Sequence, residues 1–474
     1  MKNNSYLCEV FGKKRGFAML RQVIYICTTM IAALHLVACQ QEATPEKRPL
    51  PPLIDEEPEP EPDPESYTIM YYACGGGTLD NGLEIVLRSA ELVECKEHIN
   101  VTASVKWSSG RINKICGSDG GVYRLRLGSD TDGLAIENIG DKSYPIHTAE
   151  NIADFILWSK STSPADNYVL VLAGHGNGWH PGVGVELTRG TVRDTDLDRY
   201  ISLEELNAAL AISNTHFKLI SFNSCLMNTL EYVTELADDT DYILAPSHVS
   251  VLLGSELSFL MTSLGEVEER GNEAFLKAME AYMAETSQQM ALYSDEESTL
   301  DVVLTETREI ASLNKAIAML TDNIELLYDK EAEIGSEAMM AEYGGTIANL
   351  ETMVGNAYNF LEAHSHDEEI TEMEYMRQSF TFDIVDIATR AATAIPTPEL
   401  RSAADKVRTT AEAARRMYCV QGVDKRDIFY GVTLTNSREW AAKEYEMAGY
   451  CHTLFDKTTG WSRFLRRNNI ALKY

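Results

Sequence analysis

Two stretches decide how this chain is read: Tyr168-Val-Leu-Val-Leu-Ala-Gly-His-Gly-Asn-Gly-Trp179 and Lys218-Leu-Ile-Ser-Phe-Asn-Ser-Cys-Leu-Met227. Each begins as a short apolar run and stops at turn-forming residues, the pattern of a strand buried on both faces of a parallel sheet. Between them, 203–212 carries helical spacing and opens on the capping box Ser202-x-x-Glu205. Strand, helix, strand places both strand ends at one edge of the sheet, where open α/β folds make their functional crevice. His175 and Cys225 stand at those two ends. Taken singly, a histidine in a glycine turn is more often structural, and a cysteine after a strand is more often buried and inert. Together they are a base beside a thiol, the combination that cysteine nucleophiles need. Leu226, Leu230 and Val233 continue at helical spacing, so Cys225 is expected at a helix N-terminus, where the dipole would lower the thiol pKa.

Working outward, the body opens with Tyr67-Thr-Ile-Met-Tyr-Tyr72, then Gly75-Gly76-Gly77 and a helical pattern over 79–93. Further strands are expected over 100–105, 122–127 and 242–245, with a helix over 149–159. The alternation implies an α/β fold: a mostly parallel sheet flanked by helices. After about residue 265 the chain becomes rich in alanine, methionine and glutamate, with helices expected over 273–290, 310–328 and 398–416 and strand-like pieces at 300–305 and 429–434. The organisation read here is a core over 67–265 and a helix-rich C-terminal region over 266–474, packed on that core or continuing it. No repeat of solenoid period is present.

The first residues differ in character. Lys13, Lys14, Arg15 and Arg21 precede an apolar stretch ending in Leu36-Val37-Ala38-Cys39, a charged region, a short hydrophobic region and a small-residue cleavage site. The ending resembles the bacterial lipobox, in which the cysteine is acylated and becomes the first mature residue. Residues 1–38 are thus expected to be a lipoprotein signal peptide, with Met19 as a start giving a leader of more usual length, and Cys39 a lipid attachment site. Residues 39–66 follow as an acidic, proline-rich tether holding eight of the fourteen prolines; at about 3.1 Å per residue it could span roughly 80 Å. The expected location is export, with a lipid anchor in a bacterial membrane.

Composition narrows the partners. The apolar fraction of 45% and charged fraction of 24% are those of a globular protein. The net charge of −31 repels nucleic-acid phosphates, so no nucleic-acid partner is expected. The leader holds five basic residues and one acid, so its removal deepens the acidity. Of the nine cysteines, Cys74, Cys95, Cys116, Cys225, Cys419 and Cys451 lie beyond Cys39. None has zinc-site spacing, so no metal site is assigned, and Cys419 with Cys451 is the first disulfide to test.

The order Gly-His-Gly after one strand and Cys after the next resembles the caspase, legumain, gingipain and clostripain clan. The finer match is to clostripain-like cysteine peptidases, through Ala173-Gly174-His175-Gly176-Asn177-Gly178-Trp179, Asn223-Ser224-Cys225-Leu226-Met227 and Leu244-Ala245-Pro246-Ser247, with Thr299 to Val303 and Thr459-Gly460-Trp461 further on. This resemblance implies a caspase-like fold and a cysteine endopeptidase acting on peptides or proteins through a Cys225–His175 dyad. It implies an oxyanion hole of the Gly176 and Cys225 amides, and substrate-binding roles for Asn223 and Ser247. No cofactor is expected; calcium serves parts of the family, but the acidic run Asp194 to Asp198 reads as a solvated loop. Asn223 stands where such enzymes carry aspartate, so preference for Arg or Lys at P1 is weakened unless another acid such as Glu256 substitutes. Related enzymes are cut for activation in the loop corresponding to 181–200, which holds Arg189, Arg193 and Arg199. Two other classes remain open: a catalytically silent, surface-anchored binding protein of the same fold, and a metal-dependent hydrolase using His175 and His180.

Overall fold

In chain order the strands are β1 (Tyr67–Cys74), β2 (Ile99–Ile112), β3 (Asp119–Leu127), β4 (Ala135–Gly140), β5 (Asn167–Ala173), β6 (Thr191–Asp194), β7 (Arg199–Ile201), β8 (Phe217–Asn223), β9 (Thr240–Ala245), β10 (Leu300–Glu306), β11 (Thr381–Asp383), β12 (Arg415–Gln421) and β13 (Thr433–Thr435). The computed structural model describes residues 63–77, 79–131, 133–179, 190–248, 250–251, 253–293, 300–358, 381–421, 431–435 and 444–467. The leader, Cys39, most of the tether, His180 and Arg189 lie outside the described residues.

Among the described residues nine strands form one sheet in the order β12-β10-β9-β8-β5-β1-β2-β3-β4. The five central strands, β9 to β2, run parallel, and antiparallel strands extend both sides. β1 shows why its sequence lacks polar alternation. Ile69, Tyr71 and Ala73 enter one apolar core while Met70, Tyr72 and Cys74 enter another on the opposite face, so both sets must be apolar. Helices Leu79–Glu91, Glu256–Gly265 and Asn272–Tyr293 cover the first face; Ala149–Thr162, Leu203–Ser213, Ile310–Ile334, Ile384–Ala394 and Pro398–Ala414 cover the second. The expected box at Ser202 is formed, its hydroxyl accepting from the Glu205 amide and the Glu205 carboxylate from the Ser202 amide.

Three expectations need correction. The helix expected to run to Arg416 stops at Ala414, and Arg415–Gln421 becomes edge strand β12, because Met417 and Cys419 alternate inward to the core. The strand expected over 429–434 is described only from 431, where β13 pairs with β11 apart from the main sheet. Cys419 and Cys451 are both free: the Cys419 sulfur lies 3.7 Å from the Met283 thioether, and Cys451 accepts from Arg466.

The acidic run at 194–198 is also not simply solvated. β6 and β7 form an antiparallel hairpin, and Asp194 on it is wholly buried, 2.7 Å from the ammonium of equally buried Lys106 on β2. The second carboxylate oxygen accepts the amides of Asp196 and Leu197, and Lys106 also donates to the Tyr144 carbonyl. A buried charge whose partner is removed costs about 3–5 kcal/mol, whereas an exposed pair contributes about 0–1 kcal/mol. Arg193 and Asp198, both substantially exposed, are the second kind of pair on the same hairpin. Asp194→Ala should therefore lower the urea unfolding free energy by about 3–5 kcal/mol and Asp198→Ala by under about 1 kcal/mol. Equal losses in the two variants would show that Lys106 is not held by Asp194.

Candidate active site

β5 and β8 pair in parallel with Ala173 opposite Asn223, and the Gly174 amide still reaches the Asn223 carbonyl at 3.2 Å. Two residues beyond that pair each segment presents a candidate catalytic side chain, His175 on one and Cys225 on the other. Equal offsets from one register pair turn a separation of fifty residues in sequence into adjacency at the sheet edge. Both line a cleft of about 300 Å³, together with Asn223, Ser250, Glu256 and Tyr282.

The two turns are pressed together at Gly176. A Cβ there would stand 2.5 Å from the Cys225 carbonyl oxygen and 2.9 Å from its amide nitrogen, so the site requires a residue without one. The hairpin at 191–201 ties the turns together from behind. The Arg193 amide donates to the His175 carbonyl, the Asn177 amide to the Gly190 carbonyl, and Thr191 bonds to Ser224 at 3.0 Å. Trp179, buried, packs edge-on against Tyr450 at 5.1 Å and anchors the far end of the histidine turn.

Electrostatics depart from the sequence expectation. The helix after Cys225 is Leu230–Glu235, five residues downstream, because Leu226 adopts a left-handed conformation (φ 66°) and turns the chain away first. Cys225 thus has no helix N-terminus behind it. Burial raises its thiol pKa, partly offset by the backbone amides of Ser250 and of Cys225 itself. The Ser250 amide donates to the sulfur at 3.2 Å, and the thiol donates to the Ser250 carbonyl at 3.4 Å. The His175 ring reaches solvent at the cleft mouth, yet the enclosing walls, then the charge of Arg193, lower its pKa. At neutral pH the resting pair is neutral imidazole and protonated thiol.

The other expected residues divide. Asn223 lines the cleft. Ser247 does not: its side chain is buried and accepts from Asn228 at 2.9 Å, while its amide donates to Asp301. Glu256 opens helix Glu256–Gly265 and lies buried in the cleft wall, accepting the Leu253 and Gly254 amides; burial raises its pKa. The sequence reading missed Ser250, and it missed the wall built by Tyr282, Thr286 and Met290. Those three recur at intervals of four, a helical stripe indistinguishable in sequence from ordinary core packing.

Residues 102–466 match the clostripain family. No curated relative matches. Among solved structures, a secreted C11 cysteine protease from Bacteroides thetaiotaomicron, in complex with an irreversible peptide inhibitor, superposes with a TM-score of 0.56 at 15% identity, covering 84% of this chain and 99% of that one. An inactive zymogen C11 protease from Parabacteroides distasonis gives 0.53 at 15% identity over the same shares. At such identities the likeness concerns the fold, which is caspase-like.

The raised thiol pKa has a direct consequence. The alkylation rate of Cys225 by iodoacetamide, followed by peptide mapping, should keep rising as pH passes the ordinary cysteine value of about 8.5, because burial disfavours the thiolate. A rate that levels off near pH 7 would mean that the thiolate is already stabilised at rest.

Proposed function

The chain belongs to the clostripain family of cysteine peptidases, and from that footing we propose that it is an endopeptidase using Cys225 as nucleophile and His175 as its base and acid. The observation that supports this reading is the shared offset of the two residues from the Ala173–Asn223 pair, together with their both lining one cleft.

The chemistry follows from the resting charges. Neutral His175 accepts the thiol proton as the sulfur adds to the scissile carbonyl, so the ion pair forms only as substrate is attacked. The oxyanion is held by the amides of Gly176 and Cys225, on turns packed too closely for a Cβ at Gly176, each donor contributing roughly 3 kcal/mol. Protonated His175 then delivers its proton to the leaving amine, and water hydrolyses the thioester. These steps call on no cofactor.

At P1 the reading is a weakened preference for Arg or Lys. The cleft runs past Asn223 between Tyr282, Met290, Leu300 and Val302, apolar walls suited to an aliphatic stem. Asn223 can accept a hydrogen bond from a cationic head without neutralising it. Glu256 supplies a carboxylate in the wall, and a bound cation would offset the burial that raises its pKa. In this reading residues 1–38 are the leader, Cys39 carries the lipid and 39–66 is the tether to the folded body; the secretion of the Bacteroides thetaiotaomicron neighbour agrees with export. No helix among the described residues is long and apolar enough to cross a membrane.

Cys225→Ala and His175→Ala should each lower kcat/KM by at least about a thousandfold, with the double variant no worse, since the two act as a unit. Base catalysis needs neutral His175, so the acid limb of the unaltered enzyme should fall below the ordinary histidine value of 6.5, activity being lost as pH drops through it. Cys39→Ala, made in the same set, should carry the activity from the membrane to the soluble fraction. Wild-type turnover in either dyad variant would remove the proposal.

Peptide-library cleavage tests the P1 reading. Asn223→Asp should strengthen preference for Arg and Lys at least about tenfold, as restoring a partner to a buried cation is worth upward of about 1.4 kcal/mol. Glu256→Gln should weaken whatever preference the unaltered protein has. A strong Arg preference indifferent to both substitutions would refute the charge argument.

A further inference from the structure

Asp301 closes the gap where β9 and β10 part. The two strands pair as far as Ala245 opposite Val303, so Ser247 comes opposite Asp301 two residues further on. There the Asp301 carboxylate accepts the Ser247 amide at 2.9 and 3.1 Å, the His248 amide at 2.9 Å, and the His248 ring Nδ1–H at 2.7 Å. The Asp301 side chain is completely buried and that of His248 is 10% exposed. A buried carboxylate meeting this many donors is held ionised and fixes them in place: its pKa lies below the ordinary range, burial opposing and His248 with the two amides prevailing.

What Asp301 fixes is the wall behind the sulfur. The Pro246 carbonyl accepts from the Asn228 amide at 3.0 Å, and the His248 carbonyl accepts from the Leu226 amide at 3.1 Å. Two residues after His248, Ser250 meets the Cys225 sulfur with both its amide and its carbonyl. Cys225 has no helix behind it and is followed by a residue in the left-handed region. Ser250, in the segment that follows Pro246, therefore gives the Cys225 sulfur backbone contacts where no helix terminus stands behind it.

We propose that Asp301 and His248 are positioning residues for the nucleophile: by pinning 246–248 they set where Ser250 stands and hence where the Cys225 sulfur points. The proposal rests on Cys225 being the nucleophile, and it assigns a part in the reaction to a strand from the helix-rich half of the chain.

The experiment compares Asp301→Asn, His248→Ala, His248→Gln and the double variant Asp301→Asn/His248→Ala in the full-length protein. Four quantities are measured: kcat and KM on one peptide substrate, the mapped alkylation rate of Cys225, and the urea unfolding midpoint. Asp301→Asn and His248→Ala should each lower kcat and the alkylation rate at least about tenfold with KM changed less than about twofold, because sub-ångström misplacement of a reacting atom is felt chiefly in the chemical step. His248→Gln, which keeps an N–H donor, should recover most of the loss, and the double variant should be no worse than Asp301→Asn. Folded variants with unaltered kcat and alkylation rate overturn the proposal. So do losses that follow the unfolding midpoint alone, and so does failure of both Asp301→Asn and His248→Ala to fold, since the pair would then serve folding only. Alkylating Cys225 in the unaltered protein is the control: retained activity overturns the nucleophile itself, whereas lost activity with unshifted variants overturns only the positioning role.

Discussion

The parallel ladder between β5 and β8 is the constraint on which the rest depends. In a strand the side-chain period is two, so moving one strand by a single residue sends every side chain to the opposite face. Here that slip would expose Leu170 and Leu172 to the wrong core and carry His175 away from Cys225. The apolar cores on both faces therefore fix the register, and the register fixes the site. Stability and chemistry meet in the pairing of Ala173 with Asn223, although neither residue is itself reactive.

Around that ladder the chain builds a site whose components are neutral at rest. Burial disfavours both the thiolate and the imidazolium, so the walls that enclose the cleft oppose early charge separation. In the proposed mechanism charge is created only when a carbonyl is in place to accept it. Two buried carboxylates lie one layer out: Asp194, paired with Lys106, belongs to the hairpin bonded to the two turns, and Asp301 accepts from Ser247 and His248 in the segment that leads to Ser250. Both pairs join residues far apart in sequence, and both belong to elements whose backbone amides and carbonyls bond to the two turns.

Much of this was legible before any coordinates. The strands ending at His175 and Cys225, the Ser202 capping box and the helices covering the sheet each carry a local signal, a period or a cap that neighbouring residues set. What was not legible depends on partners remote in sequence. Asp194 reads as one acid in a solvated run until Lys106, eighty-eight positions earlier, is found beneath it. The thiol's environment was misjudged because a left-handed Leu226 delays the helix, and leucine gives no sign of that conformation as glycine or asparagine would. Ser247 was expected in the cleft from its place in a motif; its amide and hydroxyl serve Asp301 and Asn228 instead. Asn223, the last residue of β8, lines the cleft.

In the proposed mechanism the β5–β8 register delivers His175 and Cys225 to a single reacting carbonyl. A crystal structure of the mature protein after treatment with an irreversible peptidyl electrophile tests it most directly. The expected adduct is a thioether to the Cys225 sulfur, with a His175 ring nitrogen within about 3.2 Å of the inhibitor's reacting centre and Ala173 still opposite Asn223. Modification of another residue, or an adduct on Cys225 with His175 turned away from the cleft, would contradict it.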